Sequence, residues 1–147
     1  MIIDVIGDIH GYADKLVGLL KQLGYVHNGQ YFVPPEGHRA LFIGDLMDRG
    51  PQQVATLEIV FAMLDADVAD AVMGNHEYNA LAFATPDPDV PGEYLRSHDA
   101  VHTRQHEAFW QRCLLARRRI STGLSVFMRF RCGSRLTMPV LSMLAGM

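Results

Sequence analysis

Apolar residues fall into three short blocks, each closed by a glycine and followed by a stretch with helical spacing. Ile2, Ile3, Val5 and Ile6 precede Gly7, which predicts a buried strand with a loop at its C-terminal end. Leu16, Leu19, Leu20 and Leu23 then recur at helical spacing from Tyr12 until Gly24 stops the pattern. Tyr25–Val26 and Tyr31–Val33 flank His27-Asn28-Gly29-Gln30, the composition of a hairpin whose turn contains Asn-Gly. Leu41, Phe42 and Ile43 make a second buried strand ending in Gly44. Pro51 opens a helix with an apolar face of Val54, Leu57, Val60, Phe61 and Leu64. Asp70 to Met73 reads as a third strand before Gly74, with a helix from His76 to Ala84. Three prolines make Thr85 to Gly92 a loop, and His98 to Gln111 is expected to be helical. Strand, loop and helix alternating in this way favour an α/β fold of parallel strands covered by helices. In such sheets ligands sit at the C-terminal ends of the strands.

The 147 residues allow one domain. No apolar run approaches the ~18–20 residues of a membrane helix. The N-terminus lacks a basic lead into an apolar segment, and Cys113 and Cys132 are too few for a disulfide framework. A cytoplasmic protein with no membrane contact is the expectation. Charge divides the chain more sharply than hydropathy does. The net charge of −3 combines all 16 acidic and six basic groups in residues 1–107, a balance of −10, with seven Arg and no acidic group in residues 108–147.

The glycine-closed blocks end in three loops: Gly7-Asp8-Ile9-His10-Gly11, Gly44-Asp45-Leu46-Met47-Asp48-Arg49-Gly50 and Gly74-Asn75-His76-Glu77. Carboxylates, imidazoles and an amide oxygen are a donor set suited to Mn, Fe, Zn or similar ions. Glycines let the backbone turn sharply and approach the ions. One such loop is a modest signal. Three in order, each at a predicted strand end, are far more specific. A weaker candidate is the stripe of His98, His102 and His106. A metal site is conceivable there, but the preferred reading is a solvated polar face beside Arg104 and Glu107.

Over residues 1 to about 110 these loops resemble the phosphoprotein-phosphatase branch of the calcineurin-like metallophosphoesterases, with Asp48-Arg49-Gly50 picking out the branch. That branch includes bacterial Ser/Thr protein phosphatases and symmetrical dinucleoside tetraphosphatases. The resemblance implies an αββα sandwich, incomplete here at its C-terminus. It implies two divalent ions and hydrolysis of a phosphoprotein or dinucleoside polyphosphate by in-line attack of a bridging hydroxide. It also implies that Asp8 and His10 ligate the first metal, that Asp45 bridges both and that Asn75 ligates the second. His76 becomes the general acid, Asp48 its orienting carboxylate and Arg49 the grip on the substrate phosphate. The residue types suit this chemistry independently. Two ions can activate water and clamp phosphoryl oxygens, imidazole titrates near neutrality, and guanidinium presents a bidentate fork to phosphate.

The family pattern requires two further histidines for the second metal, and no histidine follows His106. The second site is therefore expected to be incomplete. Residues 1–111 read as the N-terminal part of the phosphoesterase domain, and 112–147 as an atypical basic tail. Contact of that tail with nucleic acid is one reading of its charge; a shifted reading frame is the preferred one. Shifted back by one base, codons allowed for residues 127–147 can encode a strand ending in His-Ala-Gly, the missing motif. Two of its letters are forced, since Met128 before a CGN-coded Arg129 gives Ala, and so does Met138 before Pro139. The junction is placed between about Arg112 and Ser121. The alternative to an active hydrolase is a catalytically impaired remnant that binds one metal or phosphate without turnover.

Overall fold

The structure, a computed structural model, describes residues 1–115. The strands are β1 (Ile2–Ile6), β2 (Val26–His27), β3 (Phe32–Val33), β4 (His38–Phe42) and β5 (Ala69–Ala71). The helices are α1 (Ala13–Gln22), α2 (Gln53–Asp65), α3 (Asn75–Ala84) and α4 (Ala100–Leu115). β1, β4 and β5 form a parallel sheet in the order β1-β4-β5, with β1 and β5 each paired to β4. The other two strands form a short antiparallel hairpin around Asn28, whose side chain accepts from the backbone N–H groups of Gln30 and Tyr31.

Register and period-two alternation divide the parallel sheet into two unlike faces. Ile6, Ala40, Phe42, Ala69 and Ala71 share one face and are buried. They join Leu16 and Leu20 of α1 and Leu57, Val60 and Met63 of α2 in the core. On the opposite face stand Ile3, Val5, Ile43 and Val72, between 41% and 61% exposed. The first strand, expected to be buried, is therefore buried only at Ile6, with Ile2 on the same face 55% exposed at the strand's start. Apolar residues on both faces of a parallel strand are the signature of a sheet covered twice, and the described residues supply one covering layer. They form the first α and β layers of the αββα arrangement. At the far end of the open face Arg39 pairs with Asp67 and Asp70.

α4 packs against α2 and α3. It begins later than periodicity suggested, because the Asp99 carboxylate accepts from the N–H groups of Val101 and His102 and caps the helix there. His98 consequently lies outside the helix, stacked on the rings of Phe83 and Tyr94 at centroid distances of 4.0 Å. The expected solvent-facing histidine stripe does not exist. His98 is exposed but precedes the helix, His106 is wholly buried, and His102 is partly exposed, so the three do not share one solvated helix face. Most of the atypical tail, with the proposed frame junction from residue 116 onward, lies outside the described residues.

Candidate metal centre

All three glycine-closed loops gather at the C-terminal end of the parallel sheet and are tied together through their backbones. His10 and Gly11 donate to the carbonyls of Asp45 and Leu46, and Gly50 donates back to that of His10, all at 2.7–2.8 Å. The third loop is joined to the second most extensively through one side chain. Glu77, fully buried, accepts from the backbone N–H groups of Asp45 and Gly74 on Oε2 and from those of Leu46 and Met47 on Oε1, at 2.8–3.3 Å. Two glycines are needed for approach between loops, where the sequence had suggested approach to ions. A Cβ on Gly44, which has φ +86°, would lie 2.1 Å from the Gly74 nitrogen, and one on Gly50 would lie 2.4 Å from the His10 carbonyl. Packed this tightly, the chain holds Asp8, His10, Asp45, Asp48 and Arg49 in left-handed conformations with φ between 46° and 65°. Such strain in non-glycine residues concentrates at functional sites.

Coordinating atoms of His10, Asp45 and His76 lie within 4.8 Å of one another. His10 directs Nδ1 at the Met47 carbonyl, 3.1 Å away. Donation there would fix the tautomer and leave Nε2 free as a ligand. Asp8 is strongly exposed, its Oδ1 3.7 Å from His10 Nε2. Asn75, with its amide turned so that nitrogen faces the carboxylate, donates to both Asp45 oxygens at 2.8–2.9 Å. Every residue expected to ligate metal thus stands in or against this cluster. Clustered oxygen and imidazole donors on a strained, cross-braced backbone fit divalent ions.

His76, in the first turn of α3, is the meeting point of the cluster and its neighbours. Its ring stands edge-on to His10 with centroids 4.7 Å apart, and its Nδ1 lies 2.8 Å from Asp48 Oδ2. Burial pushes the Asp48 carboxyl up, but the imidazoles of His106 and His76 outweigh it, and the net direction is down from the ordinary aspartate value. Asp48, Arg49, Gln53 and His76 line a cleft of about 680 Å³ together with Arg104 and Gln105 of α4. Arg49 also borders a second cleft of about 330 Å³ that contains Asp8, His10, Tyr12 and Lys15.

Two residues of this site escaped the sequence reading. Glu77 was visible as the end of the third loop and stands at the third helical position, where a capping Glu reaches back to the chain. Its reach into the second loop had no signal. His106 was visible only as part of a polar stripe, and nothing in its spacing distinguished it from His102.

The family model described as Calcineurin-like phosphoesterase matches residues 1–127. The bis(5'-nucleosyl)-tetraphosphatase PrpE [asymmetrical] of Geobacillus sp. (strain WCH70) is 45% identical over 76 residues, 52% of this chain and 31% of that protein. The protein of the same name from Bacillus subtilis (strain 168) is 37% identical over 76 residues, with the same shares. This chain therefore spans about a third of the length of the curated relatives it matches. A cold-active protein tyrosine phosphatase structure, 23% identical, superposes with a TM-score of 0.51 over 74% of this chain and 29% of its own, a likeness of fold.

Proposed function

Because the chain belongs to the calcineurin-like phosphoesterase family, we propose that it derives from, and where its site is complete acts as, a metal-dependent hydrolase of phosphate esters, with dinucleoside polyphosphate as the preferred substrate class. The observation that carries this reading is the convergence of His10, Asp45 and His76 within 4.8 Å on strained loops beside an arginine-lined cleft. Two cleft arginines, Arg49 and Arg104, suit a substrate with several phosphates better than a single ester. The names of the tetraphosphatase relatives favour the same class over a phosphoprotein.

In this proposal Asp8, His10 and Asp45 would hold a first ion, and Asp45 and Asn75 would contribute to a second site. A pair of divalent ions held there would supply Lewis acidity toward the phosphoryl oxygens and the attacking water. Arg49 grips the phosphate through its planar fork. His76, as the imidazolium with Nδ1–H donated to Asp48, presents Nε2–H to the departing oxygen, gives it that proton and is left neutral. Mn, Fe and Zn all suit these donors.

Titration of the chain with Mn²⁺, followed by assay on p-nitrophenyl phosphate and diadenosine tetraphosphate, tests the proposal. Hydrolysis of the dinucleotide that requires added ion supports it; bound metal with no turnover of either compound leaves the impaired remnant. A second reading rests on the same cluster, since the His76 imidazole is close enough to Asp45 and His10 to be a ligand itself. His76→Asn separates the two. A general acid lost at constant metal content lowers turnover ~100–10,000-fold, whereas a lost ligand lowers metal content.

A further inference from the structure

The proposed mechanism leaves one buried imidazole without a task. His106 of α4 is fully buried, with its ring beside Phe83 at a centroid distance of 5.3 Å. Its Nδ1 faces Asp48 Oδ2 across 3.5 Å, and the same oxygen lies 2.8 Å from His76 Nδ1. Among the described residues, neither ring nitrogen of His106 nor Asp48 Oδ1 has a partner in hydrogen-bonding geometry. A buried polar group left in this state costs about 1–3 kcal/mol, and Leu or Phe would fill the space without that cost. Packing alone therefore does not account for a histidine here.

We propose that His106 is a positioning residue for His76, acting through Asp48. The inference rests on the reading of His76 as general acid. The torsion that turns a carboxylate plane is broad and roughly two-fold, so a buried Asp held by one imidazole can swing its oxygens. An N–H on His106 Nδ1, 3.5 Å from Oδ2, attracts that oxygen electrostatically from the α4 side, restricts the swing and keeps the oxygen aligned with His76 Nδ1. It also gives the buried anion a second partner, as buried charge requires. His76 then keeps its Nδ1–H on Asp48, so that the second proton of the imidazolium form sits on Nε2, turned to the cleft and available to the leaving oxygen. By this account α4, which contributes Arg104 and Gln105 to the cleft wall, also sets the orientation of the acid.

The test uses the full ¹⁵N-labelled chain, with and without Zn²⁺, and compares it with His106→Phe and His106→Gln. Long-range ¹H–¹⁵N spectra report the His76 tautomer directly. With the ring neutral, wild type is expected to hold the Nδ1–H form, the one that gains its transferable proton on Nε2, His106→Phe to show a mixture of both forms, and His106→Gln, which retains an N–H donor, to restore the single form. Turnover of an alkyl phosphate should fall on the order of 10- to 100-fold in His106→Phe, with a much smaller loss on p-nitrophenyl phosphate, whose leaving group needs no proton. Identical His76 nitrogen shifts in all three proteins would overturn the proposal, as would equal losses on both leaving groups. If His106→Phe does not fold, the smaller His106→Leu replaces it. The spectra remain readable if no form of the chain hydrolyses anything, so failure of the functional reading and failure of this one are distinct results.

Discussion

Replacing Glu77 tests whether the three loops behave as one body. In Glu77→Ala, the N–H groups of Asp45, Leu46, Met47 and Gly74 lose their acceptor. The bonds to Leu46 and Met47 are buried, and those to Asp45 and Gly74 are partly so. An orphaned buried donor costs about 1–3 kcal/mol. Two such donors give roughly 2–6 kcal/mol, with the outer pair discounted because water can reach it. At about 2–4 °C per kcal/mol for a chain near 150 residues, the melting temperature should fall by roughly 4–24 °C. Glu77→Gln keeps the shape and one oxygen, while its NH₂ group opposes two N–H donors. Its loss should lie between wild type and alanine. Urea unfolding followed by circular dichroism measures both variants, and Mn²⁺ binding should weaken in the same order. An alanine variant within about 0.5 kcal/mol of wild type, the scatter of ordinary surface substitutions, would refute the reasoning.

Three further outcomes are expected. Tyr25 donates its hydroxyl to Asp4 Oδ2 at 2.8 Å, and burial followed by that bond pushes the phenol well above its ordinary value. Its contribution is therefore complete below the unfolded pKa near 10 and lost as pH rises through the folded one; wild type should lose more stability than Tyr25→Phe between pH 9 and about 11.5. Gly44→Ala should prevent folding or shift the melting curve by tens of degrees, since its Cβ would sit 2.1 Å from the Gly74 nitrogen; a near-normal melt counts against the loop packing. If the tail after about residue 112 comes from a shifted frame, the gene read one base back should encode the His-Ala-Gly strand and a second downstream histidine; an early stop codon in that frame would exclude it.

How far the sequence could be read depended on the range of the interaction concerned. The strands before Gly7 and Gly44 and the helices carrying Leu16, Leu20, Leu57 and Val60 follow from local periodicity, and each stands where its pattern put it. Ile3 and Val5 reported a need for cover without saying which residues meet it. The ligand loops were legible because Asp, His and Asn gather beside glycine within a few positions. Glu77 and His106 were not, since each acts across about thirty residues or more, on Leu46 and on Asp48. A side chain that reaches a distant segment leaves no period behind, and buried His106 has the same local surroundings in sequence as half-exposed His102.

The left-handed backbone of the loops constrains which residues selection can place there. Asp8, His10, Asp45 and Asp48 all have φ between 46° and 65°, and aspartate, asparagine and histidine are the non-glycine residues that enter this region most readily. The same short polar side chains offer oxygen or imidazole donors to an ion. In the proposed reading Asp8, His10 and Asp45 are thus constrained twice, once by coordination and once by conformation, and Asp48 by conformation and by its bond to His76. Exchanging Asp45 for glutamate would keep the carboxylate yet place a longer residue, less tolerant of positive φ, on a turn closed by two other loops. Substitutions that conserve charge at this centre are for that reason not conservative, and variation is more readily accommodated on the cleft wall formed by α4.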